Sequence, residues 1–362
     1  RSSLYGVRYR DYFVDVESAE VVKGDSVKFN FSKKNVRELP WIVGEMPLFS
    51  KRFWEKQSQL YELLTPSEFG GVSGPYRMSA FDMSAPSSIT LERVKNYWGV
   101  DHLLNKGRNN FDRVVLKYYE TMEESLRQFL SRDHDFRNET VMNNWVTFKS
   151  LPQTKNGWIS LEEFPSGKPE GMQGYAFNLR NPLLHDKNLR KAITLAFDFE
   201  YFNKTLFSGK YIRSESFFSN SEEFSTRSRP SGDEVRLMKT LPVRVGRELL
   251  TFIYRAPRSD GSGDNTTNLA AAVKLLERAG YIYEGRMGQL FTRSHEPVEL
   301  EIIVRAGRGL DYISIIFAES LARLGIKTRV TALPNEELQA RKGDHNFDLA
   351  AFVFGQSQSP GV

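Results

Sequence analysis

Five histidines, His102, His134, His185, His295 and His345, are the side chains best suited to move protons or hold a metal near neutral pH. None stands at the i, i+4 spacing that puts two imidazoles on one helical face, so zinc chemistry of the HExxH kind is excluded. Asp133-His134-Asp135 is the one tight cluster of titratable ligands. It follows a helical stretch and reads as a solvated polar turn rather than a metal site. Ala306-Gly307-Arg308-Gly309 is too brief for a phosphate-cradling loop or a dinucleotide fingerprint. It reads as a strand-to-helix turn in which glycine supplies positive φ. No G-x-S-x-G elbow is present. There is no cysteine, which excludes disulfides, thiol catalysis and thiolate metal sites. Acidic residues are plentiful, but spacing alone gives no pair its general-acid and general-base roles. None of these patterns names a catalytic residue, a metal site or a cofactor, and none is expected.

Positioning such groups takes more than one core. At about 100–200 residues per domain, 362 residues predict two or three units. Charged residues make up 26% and hydrophobic ones 40%, the balance of a globular chain. The net charge is +5, with bases interleaved among acids, which disfavours nucleic acid as a partner. No run reaches the roughly 18 apolar residues of a membrane span. The chain begins Arg1-Ser2-Ser3 and reads as the inside of a longer protein, whose missing ends are expected to include a signal peptide.

Hydrophobic periods locate the elements. Val14, Val16, Val21, Val27, Phe29 and Phe31 alternate about the turn Lys23-Gly24-Asp25, which predicts strands over residues 5–31. Strands are also predicted over 76–81, 88–93 and 111–118. Thr121-Met122-Glu123-Glu124 has capping-box spacing and opens a short helix that turns Leu126, Phe129 and Leu130 inward. Dense Pro and Gly between 150 and 171 mark a crossing between domains. From Gly171 the pattern becomes α/β. Leu189, Ala192, Ile193, Ala196 and Phe197 share one helical face, as do Leu269, Ala272, Val273, Leu276 and Ala279 before a stop at Gly280. Ile313, Ile316, Phe317, Leu321 and Leu324 line a third helix, stopped by Gly325. Strands are predicted over 298–304, 326–330 and 347–354, and surface loops with little regular structure over 213–265. Strand–helix–strand order of this kind builds a mostly parallel sheet with right-handed crossovers.

Several runs also occur in a particular order. They are Gly71-Val72-Ser73-Gly74-Pro75-Tyr76, Leu91-Glu92-Arg93, Asn96-Tyr97-Trp98-Gly99, Tyr175-Ala176-Phe177-Asn178, Leu189–Asp198, Leu275–Tyr281, Leu324-Gly325-Ile326-Lys327 and Phe347–Phe352. Together they resemble the extracellular solute-binding proteins, family 5, of oligopeptide and dipeptide ABC importers. Residues Gly171 to Ser221 are most similar to the YejA-like branch. The resemblance implies an α/β fold of the periplasmic binding protein type II kind (cluster C), with two lobes, a hinge and a smaller inserted domain. It implies residues 1–45 as the remainder of the inserted domain, 46–170 as part of lobe I, 171–355 as lobe II and 356–362 as the start of the return to lobe I. The implied activity is periplasmic capture of a peptide-like solute by a monomer, and delivery to inner-membrane ABC permease subunits. Haem, a nickel chelate or an oligosaccharide stand as alternative ligands on the same scaffold.

Such a site holds peptide through its backbone, as an added strand, between aromatic walls and a few charged anchors. On that basis Tyr175, Phe177 and Asn178 are candidates, on the strand entering lobe II. Trp41, in a Pro-flanked segment, and Arg308, in a turn near the cleft, are further candidates. Core packing is the competing reading for the strand aromatics and for Trp41. One departure from the resembling family matters. Its peptide-binding members often follow the last strand with a Gly-Trp-x-x-Asp-Tyr-like run, whose Asp pairs with the peptide ammonium. Here Phe354 takes the Trp place, and Gln356 or Ser357 stands where the Asp would be. A neutral amide or hydroxyl does not offset a buried cation. The expected ligand therefore has a blocked or modified N-terminus, as in a muropeptide or a peptide antibiotic, or is anchored elsewhere.

Overall fold

Period-two alternation builds the first of two units, Arg1–Asn138. The computed structural model describes residues 13–32, 38–46, 48–57, 73–82, 84, 87–225, 228–241, 245–246, 250–251, 253–284, 288–307 and 309–356. Strands β1 (Val16–Val21) and β2 (Val27–Phe31) pair as an antiparallel hairpin about the predicted Lys23-Gly24-Asp25 turn. Helices α1 (Leu39–Gly44) and α2 (Lys51–Gln57) follow. Strands β3 (Tyr76–Asp82), β4 (Ser87–Arg93) and β5 (Arg113–Tyr118) form an antiparallel meander with β4 in the middle. Helix α3 (Met122–Leu130) starts where the capping signal predicts, with Thr121 Oγ1 accepting from Glu124 N at 3.0 Å. Only this half of the box forms.

The second unit, Glu139–Gly361, holds the main apolar core. It opens with α4 (Met142–Phe148) and α5 (Pro152–Lys155) and enters its sheet through β6 (Met172–Phe177). Helices α6 (Lys187–Ala196), α7 (Phe199–Leu206), α8 (Gly232–Thr240) and α9 (Thr266–Arg278) follow. Then come the hairpin β7 (Ile282–Glu284) and β8 (Gln289–Phe291), strand β9 (Glu299–Arg305), α10 (Leu310–Ala322), β10 (Lys327–Leu333), α11 (Asn335–Gly343) and β11 (Leu349–Phe354). The sheet order is β10–β9–β11–β6; β10, β9 and β11 are parallel, and β6 is an antiparallel edge.

The predicted apolar faces fill one side of this sheet. Leu189, Ile193, Leu276, Phe317 and Leu321 pack with Leu300, Ile302, Val304 and Leu349. On the other side Leu338 of α11 packs with Ile303, Leu333 and Ala350. Alternation along β9 thus feeds two layers of helix, the expectation for a strand buried on both faces. Glu301 lies on the α11 side, where Arg341 donates to it at 2.6 Å and Thr331 at 2.7 Å.

Two expectations need correction. Residues 213–265 contain helix α8, opened by a complete capping box: Ser231 Oγ accepts from Glu234 N at 3.2 Å, and Glu234 accepts from Ser231 N at 2.6 Å. The local S-x-x-E signal outweighs the loop-like composition around it. Asp133 is also no freely solvated turn residue. It accepts from Lys117 Nζ at 2.7 Å and from the Tyr119 hydroxyl, and these bonds hold its carboxyl below the usual range. Among the described residues no helix is long and apolar enough to cross a membrane.

Candidate ligand-binding site

From β9 the chain crosses by α10 to β10, on one side. From β10 it crosses back by α11 to β11, on the other side. The two helices lie on opposite faces, so the order reverses between β9 and β11. In open α/β sheets ligands bind at the carboxyl ends of the strands beside such a reversal. Two sequence-predicted stretches leave the sheet there: the Ala306–Gly309 turn after β9, and Phe354-Gly355-Gln356 after β11. Gly307 and Gly309 sit at φ 70° and 76°, as read from the sequence. Arg308 and Ser357 lie outside the described residues.

Phe354 is the centre of an aromatic wall at this edge. Phe217 meets it edge-on, with ring centroids 5.6 Å apart at 86°. Phe352 stacks on it at 5.9 Å and 21°, and Phe347 packs behind Phe352 at 6.0 Å. The Lys342 ammonium stands 4.4 Å over the Phe352 ring and donates to Ala351 O at 2.5 Å. Burial pushes its pKa down. Phe354 keeps 36% of its surface exposed, and Gln356 is half-buried with no side-chain hydrogen bond among the described residues. Part of the Phe354 ring is therefore open, and Gln356 follows two residues on.

The entry to β6 is pressed against this wall. A Cβ on Gly171 would lie 1.9 Å from Phe354 O, so only glycine fits between the two backbones. Glu170 N donates to Ser219 O at 2.6 Å, and Asn220 Nδ2 to Ser166 O at 2.8 Å and Lys168 O at 2.9 Å. These bonds fix the Phe217 segment to the strand that enters the unit.

The other sequence candidates lie elsewhere. β6 runs antiparallel to β11, with Met172 opposite Phe354 and Phe177 opposite Leu349. Phe177 and Asn178 thus stand at the far edge of the sheet, roughly 17 Å from Phe354 at about 3.3 Å per residue. Tyr175 stacks on Phe317 at 5.5 Å, meets Phe197 edge-on at 6.1 Å and bonds Ser314 Oγ at 2.7 Å. Burial pushes its phenol up to about 12. Phe177 packs against the same core. Asn178 is buried; its Nδ2 donates to His345 O and Phe347 O, both at 2.8 Å, and its Oδ1 accepts from Arg180 N at 3.1 Å. It pins the turn that precedes β11. Trp41 belongs to the first unit, on α1, and is 73% exposed while Leu39 and Ile42 are buried. The packing reading of Trp41 does not fit that placement.

Sequence reading missed Phe217, Phe352 and Lys342. The signals were present. Phe352 and Phe354 are two apart on one strand and share a face, and Phe217-Phe218 is an apolar pair in a polar stretch.

A reversing, mostly parallel sheet with helices on both faces fits a lobe of the type II periplasmic-binding fold. A model of the bacterial extracellular solute-binding proteins, family 5 (middle region), matches residues 3–361, and the chain belongs to that family. Its curated relatives are YejA-like. The probable peptide-binding protein YejA of Agrobacterium fabrum is 31% identical over 358 residues, 97% of this chain and 57% of the relative. The peptidoglycan-binding protein YepA of the same organism is 26% identical over 358 residues, 96% of this chain and 56% of the relative. The chain thus spans little more than half the length of these relatives. Among solved structures, the periplasmic oligopeptide-binding protein of an oligopeptide ABC transporter from Thermotoga maritima superposes with a TM-score of 0.67. It shares 17% identity and covers 98% of this chain and 60% of its own.

Proposed function

We propose that the full-length protein captures a peptide-like solute in the periplasm and passes it to the inner-membrane subunits of an ABC importer. In this reading it is a monomer with no catalytic role, residues 46–170 belong to one lobe and residues 171–355 form the other. Family membership and the YejA and YepA relatives support it. The observation that carries the peptide reading is the Phe217–Phe354–Phe352 wall beside the sheet reversal, with backbone at a strand end on which an extended peptide can pair. The wall is followed by Gly355-Gln356-Ser357-Gln358-Ser359-Pro360-Gly361-Val362, a run without an acid.

A peptide ammonium buried there would meet an amide rather than a carboxylate. Leaving a charge uncompensated costs more than leaving out a neutral group. The favoured ligand in this reading carries a blocked N-terminus, and muropeptides are within that class. Calorimetric titration of the full-length protein with one peptide sequence in free, N-acetyl and N-formyl forms tests it. Blocked forms are expected to bind at least about tenfold tighter. Tighter binding of the free amine would overturn the blocked-end reading. No binding of any form, with a haem, chelate or sugar mass co-purifying, would overturn the peptide reading itself.

A further inference from the structure

In the first unit, β4 ends at Arg93 and β5 begins at Arg113, and segment 94–112 folds beside that end of the meander. Local bonds hold it. Asn105 Nδ2 donates to Gly99 O at 2.8 Å, Asn110 Nδ2 to Gly107 O at 2.9 Å and Trp98 Nε1 to Ser73 O at 2.8 Å. The result is an open groove of about 1260 Å³. Two of its cations are neutralised, Arg77 by Glu92 at 3.3 Å and Arg93 by Asp112. The other four, Lys95, Lys106, Arg108 and Arg113, line the same groove and have no ion-pair partner among the described residues. Arg113 faces Glu92 across the strands, but Glu92 already serves Arg77. Like charges gathered in one concavity repel each other and focus a field that attracts anions. In the same segment 94–112, Trp98 and Leu103 are 75% and 78% exposed.

We propose that this groove is a binding site for an anion carrying two or more phosphoryl groups. Arg108 and Arg113 offer planar forks that match phosphoryl oxygens, and Lys95 and Lys106 add point charges. A phosphate monoester brings up to about two negative charges near neutral pH and a lipid phosphodiester one, so two monoesters or several neighbouring headgroups balance four cations. A lone carboxylate balances one. The phosphoryl groups arrive either on a soluble oligophosphate or on the headgroups of an anionic lipid, whose apolar part Trp98 and Leu103 would meet. None of the groove's residues belongs to the candidate peptide site, so this site does not depend on which solute the protein carries.

The test uses the full-length protein. It is titrated with tripolyphosphate and, separately, floated with vesicles of phosphatidylcholine containing phosphatidylglycerol, each at low and high salt. A Lys95→Gln, Lys106→Gln, Arg108→Gln variant is compared with a Lys23→Gln, Lys28→Gln control on the exposed β1–β2 hairpin. Binding is expected in at least one arm, weakening with salt. About fivefold per cation predicts a roughly hundredfold loss in the triple variant, with little change in the control. Peptide affinity and melting temperature are expected to stay at the parent values. Tripolyphosphate binding alone supports the site with a soluble source, and vesicle binding supports it with a headgroup. No binding in either arm, an equal loss in the control, or equally tight binding of citrate would each overturn the proposal.

Discussion

Gln356 is the residue on which ligand choice turns in the proposed function. It is half-buried, its amide is unbonded among the described residues, and the Phe354 ring lies two residues before it. Gln356→Asp places a carboxylate where an ammonium would sit. In the full-length protein this exchange should reverse the order of affinities, with the free-amine peptide gaining about tenfold over its N-acetyl form. Unchanged order in the titration would move the end-group anchor away from Gln356. Gly171 is the second decisive residue. Gly171→Ala puts a methyl 1.9 Å from Phe354 O and 3.0 Å from the Gly355 Cα, against backbone. Overpacking of this kind costs about 1–3 kcal/mol. A lower urea midpoint together with weaker peptide binding is expected, because the displaced atoms carry the aromatic wall. Parent-like values for both would show that the two backbones are not locked together.

At the scale of elements, the sequence was most legible where one apolar stripe met one face. Leu189, Ala192, Ile193 and Ala196 predicted α6, and Leu269, Ala272 and Leu276 predicted α9; all are buried in the structure. α11 left no such stripe, since Leu338 is its one buried residue and the rest is charged or polar. Of the site candidates, Phe354, Gln356 and Ser357 rest on the resemblance to the run that follows the last strand in peptide-binding members of the family. The resemblance implies Phe177 and Asn178 on the strand entering lobe II; antiparallel pairing, which single-strand periodicity does not report, places them at the opposite edge from Phe354. Asn178 now has a stated role, and truncation tests it. Asn178→Ala would orphan His345 O, Phe347 O and Arg180 N at once, so a loss of about 2–4 kcal/mol in denaturant unfolding is expected. A loss below about 0.5 kcal/mol would mean water replaces the amide. Glu301 ties β9 to β10 and α11 in the same way. Burial alone would raise its pKa, but the bonds from Arg341 and Thr331 hold it below the ordinary value. A carboxyl lowered in the folded state stabilises fully above the unfolded value of about 4.3 and loses that contribution as pH falls through the folded value. Stability should therefore drop on acidification below about pH 4, and Glu301→Gln should flatten that part of the profile. An unchanged profile would leave the ion pair without a net role.

On the scale of the whole chain, apolar burial is uneven. Both buried clusters draw all their members from the second unit, from Leu184 to Ala350. In the first unit Leu39 and Ile42 are the buried large apolar residues among those described, and β5 leaves Val115 and Leu116 about two-fifths exposed. Burying a Leu, Ile or Val side chain contributes about 1.5–3 kcal/mol, so local opening should be far costlier in the second unit than in the first. Hydrogen exchange on this chain measures that difference directly. Amides of Ile302, Ile303 and Val304, at the centre of a sheet covered on both faces, are expected to exchange slowest. Amides of β3, β4 and β5 are expected to exchange orders of magnitude faster. The chain spans 57% and 56% of its YejA and YepA relatives; in a version extended to their length, a gain of protection confined to β3–β5 would show that the added sequence packs on the meander. Equal protection of both units in this chain alone would show that the meander is stabilised by residues outside the described set, and the inequality in burial would lose its meaning for stability.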